Sequence, residues 1–300
     1  MDIRKLNYRA GWLVADYLNE HPRAITPELM ASVLPDNADA ATEQFVYAAL
    51  LSGFLGLDPD VSAEDRFIVD QYIRPGLLRM DPSVWRENPY YRQIRIDPAV
   101  CEGWELAWQR YEPYEMFLRD DLLLTDDLRQ IPALGYFPAA FSYPSVLQDG
   151  REWMSIKPSE IASSQAAIDA AFGRVVTFGL GLGYFAFMAA RKASVVSVTV
   201  VERDPAVIRL FNERILPQIP ERGKITVIQA DAFDYLDRQM RPAEVDFIFM
   251  DIWHDIADGT DLYLRAKQYE ARFPHTRFTY WIERSLRCAL VDRLEQLASS

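Results

Sequence analysis

Three glycines at alternating positions, Gly179, Gly181 and Gly183, follow the apolar run Val175-Val176-Thr177-Phe178 and lead into a helical pattern from Tyr184. This reads as strand, tight turn and helix. Such a turn needs glycine because its backbone enters dihedrals closed to other residues, and because a ligand must approach the main chain closely. A dinucleotide fingerprint would put its third glycine at the sixth position, which here is Tyr184, so that reading is set aside. The alternative to a ligand site is a plain turn between a buried strand and a helix.

Further groups with chemistry stand where later strands end. Glu202, in Val201-Glu202-Arg203-Asp204-Pro205, places a carboxylate where two acceptor oxygens would suit a ribose diol; otherwise it is a solvated acid at a strand end. Asp204 and Pro205 have the simpler role of starting the next helix. In Gln229-Ala230-Asp231-Ala232 an acid followed by a small residue could accept from an adenine amino group while the ring packs close. Asp251-Ile252-Trp253-His254-Asp255 brings two carboxylates and an imidazole to the centre of the crevice, as ligand groups, nucleophile orienters or general bases. If the chain turns helical there, the spacing of Asp251 and Asp255 puts both on one face. His254 could equally cap or pack, and Asp255 could cap the next helix. Cys101, Cys288, His21, His254 and His275 show no metal-ligand spacing, and no metal is expected.

The elements that must position these residues alternate. Strand patterns over 195–201, 225–228, 245–250 and 277–282 are interleaved with helical ones over 205–216, 233–239, 263–273 and 285–297, which predicts a doubly wound, mostly parallel sheet. The ligand of such a sheet lies beyond the carboxyl ends of its strands. Before it, Asp149-Gly150 between two apolar runs predicts a β-hairpin, and Ser159 is placed as the cap of a helix running to about residue 172 and closed by Gly173. Helices are expected over 3–19, from Pro27, and over about 39–56 and 62–74, whereas 75–140 is aromatic-rich, proline-broken and without a clear period. The division expected is a mainly helical domain over 1–130 and a nucleotide-binding domain with its leading hairpin over 131–300.

With 32 basic and 44 acidic side chains the net charge is −12, which disfavours nucleic acid as partner, and half of the residues are apolar, enough for a sizeable core. Neither a signal peptide nor a membrane span is legible, so a cytoplasmic protein is expected.

Together, the glycine turn, Glu202, Asp231-Ala232 and Asp251 resemble the class I S-adenosylmethionine-dependent methyltransferase-like family over about 160–284. Within it the nearest likeness is to spermidine synthase-type aminopropyltransferases, carried by Asp149-Gly150, Val201-Glu202-Arg203-Asp204, Asp231-Ala232 and Asp251. The sequence departs from these patterns at Thr177, where methyltransferases carry an acid, and at Leu182 and His254, where aminopropyltransferases do. No sixth and seventh strands fit after the fifth, so the sheet is either trimmed or completed by the hairpin and the amino-terminal part. The resemblance implies a Rossmann-like fold binding S-adenosylmethionine, or a relative such as its decarboxylated form. Gly179, Gly181, Gly183, Glu202, Arg203, Asp231, Ala232 and Asp251 would then serve the cofactor, and Asp251, His254 and Asp255 catalysis. The activity implied is methyl transfer to a small molecule, possibly an amine. The alternatives are aminopropyl transfer and a non-catalytic binding protein.

Overall fold

The computed structural model describes residues 2–299. The chain forms two compact units, Met1–Trp85 with Arg110–Ser142 and Arg86–Gln109 with Tyr143–Ser300. The single boundary expected at residue 130 is thus replaced by three crossings, because residues 86–109 pack with the carboxy-terminal half.

In the first unit, apolar spacing puts Leu6, Ala10, Val14 and Tyr17 on the buried side of the helix Ile3–Glu20. Thr26 caps Pro27–Val33 through its side chain, and Asp39 caps Ala40–Phe54. The helix expected over 62–74 begins as Ala63–Ile68 and widens into a π turn over Val69–Ile73. This unit is not purely helical. Leu134–Tyr136 pairs with Leu77–Arg79 on one side and Met116–Leu118 on the other. Three-residue strands show no readable period, which is why this region resisted assignment. Tyr136 is fully buried and stacks on Tyr47 with ring centroids 3.9 Å apart.

The second unit is built on five parallel strands: β1 (Gly173–Phe178), β2 (Val195–Glu202), β3 (Ile225–Gln229), β4 (Phe247–Met250) and β5 (Arg277–Tyr280). Their order in space is β3-β2-β1-β4-β5. The order reverses around β1, so right-handed crossovers set the connecting helices on opposite faces and leave a crevice beyond the strand ends. Those helices are α1 (Pro158–Ala170), α2 (Tyr184–Ala190), α3 (Pro205–Leu210), α4 (Ala232–Arg238), α5 (Ile256–Lys267) and α6 (Glu283–Ser299). Alternate residues of a strand point to opposite faces. Val176 and Phe178, in register with Ile248 and Met250, accordingly join the cluster of Phe233, Leu236, Tyr263 and Ala266, while Phe249 stacks on Phe185 of α2 at 4.4 Å.

Two expectations are corrected, and one of two alternatives is decided. First, α1 begins at Pro158 with Lys157 in the cap position, ahead of Ser159, since proline's fixed φ already suits a first helical turn; Gly173 opens β1 rather than closing the helix. Second, α5 starts at Ile256, seven residues before the apolar pattern becomes legible at Tyr263, because Asp255 and Asp258 form a capping box. Of the two endings expected for the parallel sheet, the trimmed one is found: among the described residues it has five strands. The hairpin, Phe141–Gln148 and Arg151–Ser155 joined at Asp149 (φ 51°) and Gly150 (φ 79°), belongs to a separate four-stranded sheet with Ala99–Cys101 and Trp104–Tyr111. Among the described residues no helix is long and apolar enough to cross a membrane.

Candidate functional site

β1 ends at Phe178, whose carbonyl accepts from the Asp251 amide at 2.9 Å, while the Gly179 amide donates to Val201 O at 2.9 Å. The three central strand tips are thereby tied together at the glycine turn. Its glycines have φ of 95°, 48° and 71°, conformations that side chains rarely enter. What surrounds them differs. A Cβ on Gly179 would lie 1.9 Å from the Asp251 carbonyl oxygen, one on Gly181 1.5 Å from Met154 Sδ of the hairpin, and one on Gly183 2.2 Å from the Phe211 ring. Gly183 is thus a packing glycine for the helix start, and the cavity is bounded by Gly179 and Gly181 without it.

Glu202 closes β2 with its carboxylate turned back on the main chain: Oε2 accepts from Leu180 N at 3.1 Å, Oε1 from Arg203 N at 2.7 Å and Asp204 N at 2.9 Å. It ties the glycine turn to the β2 tip and still borders the cavity. Asp204 caps α3 with Oδ1 and accepts from Trp104 Nε1 through Oδ2 at 3.0 Å. Asp231 caps α4 through Oδ1, the acceptor for the Phe233 and Asp234 amides. Both aspartates stand at helix starts because their short acid side chains meet otherwise unbonded amides there.

These strand ends and the hairpin enclose a cavity of about 410 Å³, within the range of small-molecule sites. Of the residues expected from sequence, Gly179, Gly181, Glu202, Arg203, Asp231, Ala232, Asp251 and His254 line it; Gly183 and Asp255 do not. Asp255 instead accepts from the Ala257 and Asp258 amides as the α5 cap, so the two-acid face of Asp251 and Asp255 is not assembled. His254 is half-exposed, its ring 5.5 Å from that of Trp153 and its amide bonded to Asp258. Leu182 is fully buried, its carbonyl bonded to Tyr90 OH at 2.6 Å. Among the described residues no group of three or more His, Cys, Asp and Glu is placed to hold a metal ion.

The cavity also has a wall only partly legible in the sequence: the helix that leads into the glycine strand could bring its first turn to the ligand, and the aromatics of 75–140 could line a pocket or fill a gap. Trp104, Glu152, Trp153, Lys157, Glu160 and Trp281 face the cavity. The hairpin signal at Asp149-Gly150 located the strands that carry some of these, but nothing local said where the hairpin docks. Lys157 Nζ and Glu152 Oε1 pair at 2.5 Å. Burial drives the Asp251 carboxyl well above the ordinary aspartate range, with the charges of Glu160 and Glu202 adding to the effect. Burial likewise raises Glu160 to about 7, against the opposing pull of Lys157.

A cofactor carrying ribose and a sulfonium would find acids at β2 and β3 and the two raised carboxyls at the strand centre, so the residues present fit such a group. The sequence matches no protein-family model and no curated protein. Among solved structures it is similar to a Klebsiella pneumoniae chain described as a "putative O-methyltransferase", with 21% identity and a TM-score of 0.29. The match covers 38% of this chain and 49% of that one. The fold itself, five parallel strands in the order found here, preceded in the chain by antiparallel strands and a helical amino-terminal region, is consistent with the class I methyltransferase architecture.

Proposed function

We propose that the cavity binds S-adenosylmethionine or a close relative and that the protein transfers the sulfonium methyl group to a small molecule. The observation that carries this is the convergence of the Gly179–Gly181 turn, Glu202, Asp231-Ala232 and Asp251 on one cavity at the carboxyl ends of β1 to β4. Glu202 is the group for the ribose hydroxyls, since a carboxylate already holding three amides keeps acceptor capacity and is fixed in place by them. Asp231 offers Oδ2 to an adenine amino group while Ala232 leaves room for the ring. The bound sulfonium supplies an electrophilic methyl. The acceptor's lone pair forms the new bond to carbon, the sulfur–carbon electron pair stays on sulfur, and the acceptor's proton passes to a carboxyl beside it. Asp251 and Glu160 are the candidates for that proton, as groups whose raised pKa lets them hold it near neutrality.

A second reading, aminopropyl transfer from the decarboxylated relative to an amine, is favoured by the acid lining of the cavity. Against it, the buried Leu182 sits where a substrate-contacting acid would be needed. The test is calorimetry of the full chain against S-adenosylmethionine, S-adenosylhomocysteine, methylthioadenosine, decarboxylated S-adenosylmethionine and the dinucleotides. The proposal expects the adenosyl sulfur compounds to bind and the dinucleotides not to. Binding of dinucleotides alone would refute it, as would no binding at all.

A further inference from the structure

Most acids that face the cavity are already engaged: Glu202 holds three amides, Asp204 and Asp231 cap helices, and Glu152 pairs with Lys157. Glu160 and Asp251 are different. Neither side chain has a hydrogen bond or ion pair with another described residue, yet both line the cavity and also a smaller one beside Gly179 and Leu180. Glu160 is brought there by the first turn of α1, Asp251 by the tip of β4. Two carboxyls that line the same space, with the Lys157 ammonium paired to Glu152, sit in an excess of negative charge that a cation entering between them would offset.

We propose, on the reading of the cavity as a sulfonium-cofactor site, that Glu160 and Asp251 together seat the ligand's positive charge. The pocket then prefers the sulfonium nucleoside to the neutral thioether left after group transfer, and releases a proton when the sulfonium enters. The sign follows from charge. A cation favours ionised carboxyls, so at low pH binding must first remove a proton, and sulfonium affinity rises with pH until Glu160 ionises unaided, near 7. The thioether has the same amino-acid tail but no charge on sulfur, so the ratio of the two affinities isolates the seat. After transfer the ligand has lost its charge and the seat can accept the acceptor's proton, which weakens retention of the product. The other charged groups facing the pair are Lys157 and Glu152 from the hairpin end, His254 beyond β4 and Glu202 at the β2 tip.

The experiment is calorimetry of the full chain with S-adenosylmethionine and S-adenosylhomocysteine between about pH 6 and 8, in two buffers of different ionisation heat. For one displaced proton the preference for the sulfonium should grow by up to about tenfold per pH unit below neutrality, with proton release seen for that ligand alone. Glu160→Gln should flatten this dependence, and Glu160→Asp should keep most of it. Thermal denaturation shows whether each variant is folded, and Asp251→Asn, expected to flatten the dependence as well, serves if Glu160→Gln is not. A preference independent of pH in the parent protein, or undiminished in both neutral variants, would overturn the charge seat and leave the cofactor reading intact. Failure of both ligands to bind would overturn the cofactor reading, and the seat with it.

Discussion

At the residue scale, acids that look equivalent in sequence divide by what their oxygens already hold. Asp255 has its carboxylate on the amides of α5, whereas the Asp251 carboxyl, four residues earlier, faces a cavity and has no hydrogen-bond partner among the described residues. Asp255→Ala should therefore lower stability by about 0.5–2 kcal/mol, the usual cost of a lost cap, and leave cofactor affinity unchanged in calorimetry; a large loss of affinity would return Asp255 to the site. Glu202 combines both kinds of role. Glu202→Gln keeps one acceptor oxygen for three amides and the ribose, so affinity should fall about ten- to a hundredfold, equivalent to about 1.5–3 kcal/mol. Unchanged binding would refute its assignment to the ribose. The pH dependence of stability belongs to Glu160. Its folded carboxyl is raised by burial to about 7, above the ordinary glutamate range, so the stability of the protonated form is fully present below the unfolded value and is lost as pH rises through the folded one. The melting temperature without ligand should fall from about pH 5 to 8, and Glu160→Gln should fall less over the same interval. Parallel melting curves in the two proteins would contradict this.

At the element scale, the glycine turn shows why one motif carries several jobs. Gly179→Ala would drive a methyl into the Asp251 carbonyl and force φ 95° on a residue with a Cβ, a backbone clash with nowhere to go. Its cost should exceed the roughly 1–3 kcal/mol of dihedral strain alone, which denaturant unfolding would measure. Gly181→Val, strained at φ 48°, meets first the flexible side chain of Met154, which can be pushed into the cavity. That change should abolish ligand binding with a smaller loss of stability than Gly179→Ala, and retained binding would move the ligand elsewhere. The positions of β1 to β5 were legible because β-branched and aromatic runs alternate with helices, and Glu202, Asp231 and Asp251 could be placed because each follows such a run. The start of α5 was hidden because its first turns carry Asp258, Gly259 and Asp261, with no apolar stripe. The tryptophans Trp153 and Trp281 were hidden for another reason. Their place in the cavity depends on how the antiparallel sheet and α1 pack on the strand tips, and no local pattern encodes that.

At the scale of the whole molecule, a net charge of −12 gives no general attraction to polyanions. Any affinity for DNA or RNA should accordingly be weak at physiological salt. The larger question is which parts of the chain make up the folding unit that holds the site. A reading by pattern alone starts that unit near residue 131, yet residues 86–109 pack with Tyr143–Ser300. Tyr90 is fully buried there, its ring edge-on to Phe187 at 5.4 Å and its hydroxyl bonded to the Leu182 carbonyl of the glycine loop. Trp104 is anchored to Asp204 at the start of α3, and Ile94 and Ile96 are buried as well. Each large apolar side chain of this kind contributes about 1.5–3 kcal/mol on burial, and the orphaned Leu182 carbonyl would cost about 1–3 kcal/mol more. Together these approach the roughly 5–15 kcal/mol by which a domain is stable at all. A fragment beginning at Tyr143 contains all five strands of the parallel sheet and every acid of the cavity, but it should show no cooperative thermal transition. The full chain should melt cooperatively, and Tyr90→Phe within it should cost about 0.5–1.5 kcal/mol by loss of one hydrogen bond. A fragment that melts cooperatively near the temperature of the full chain would show that the sheet and its helices suffice, and that residues 86–109 only cover a unit already folded.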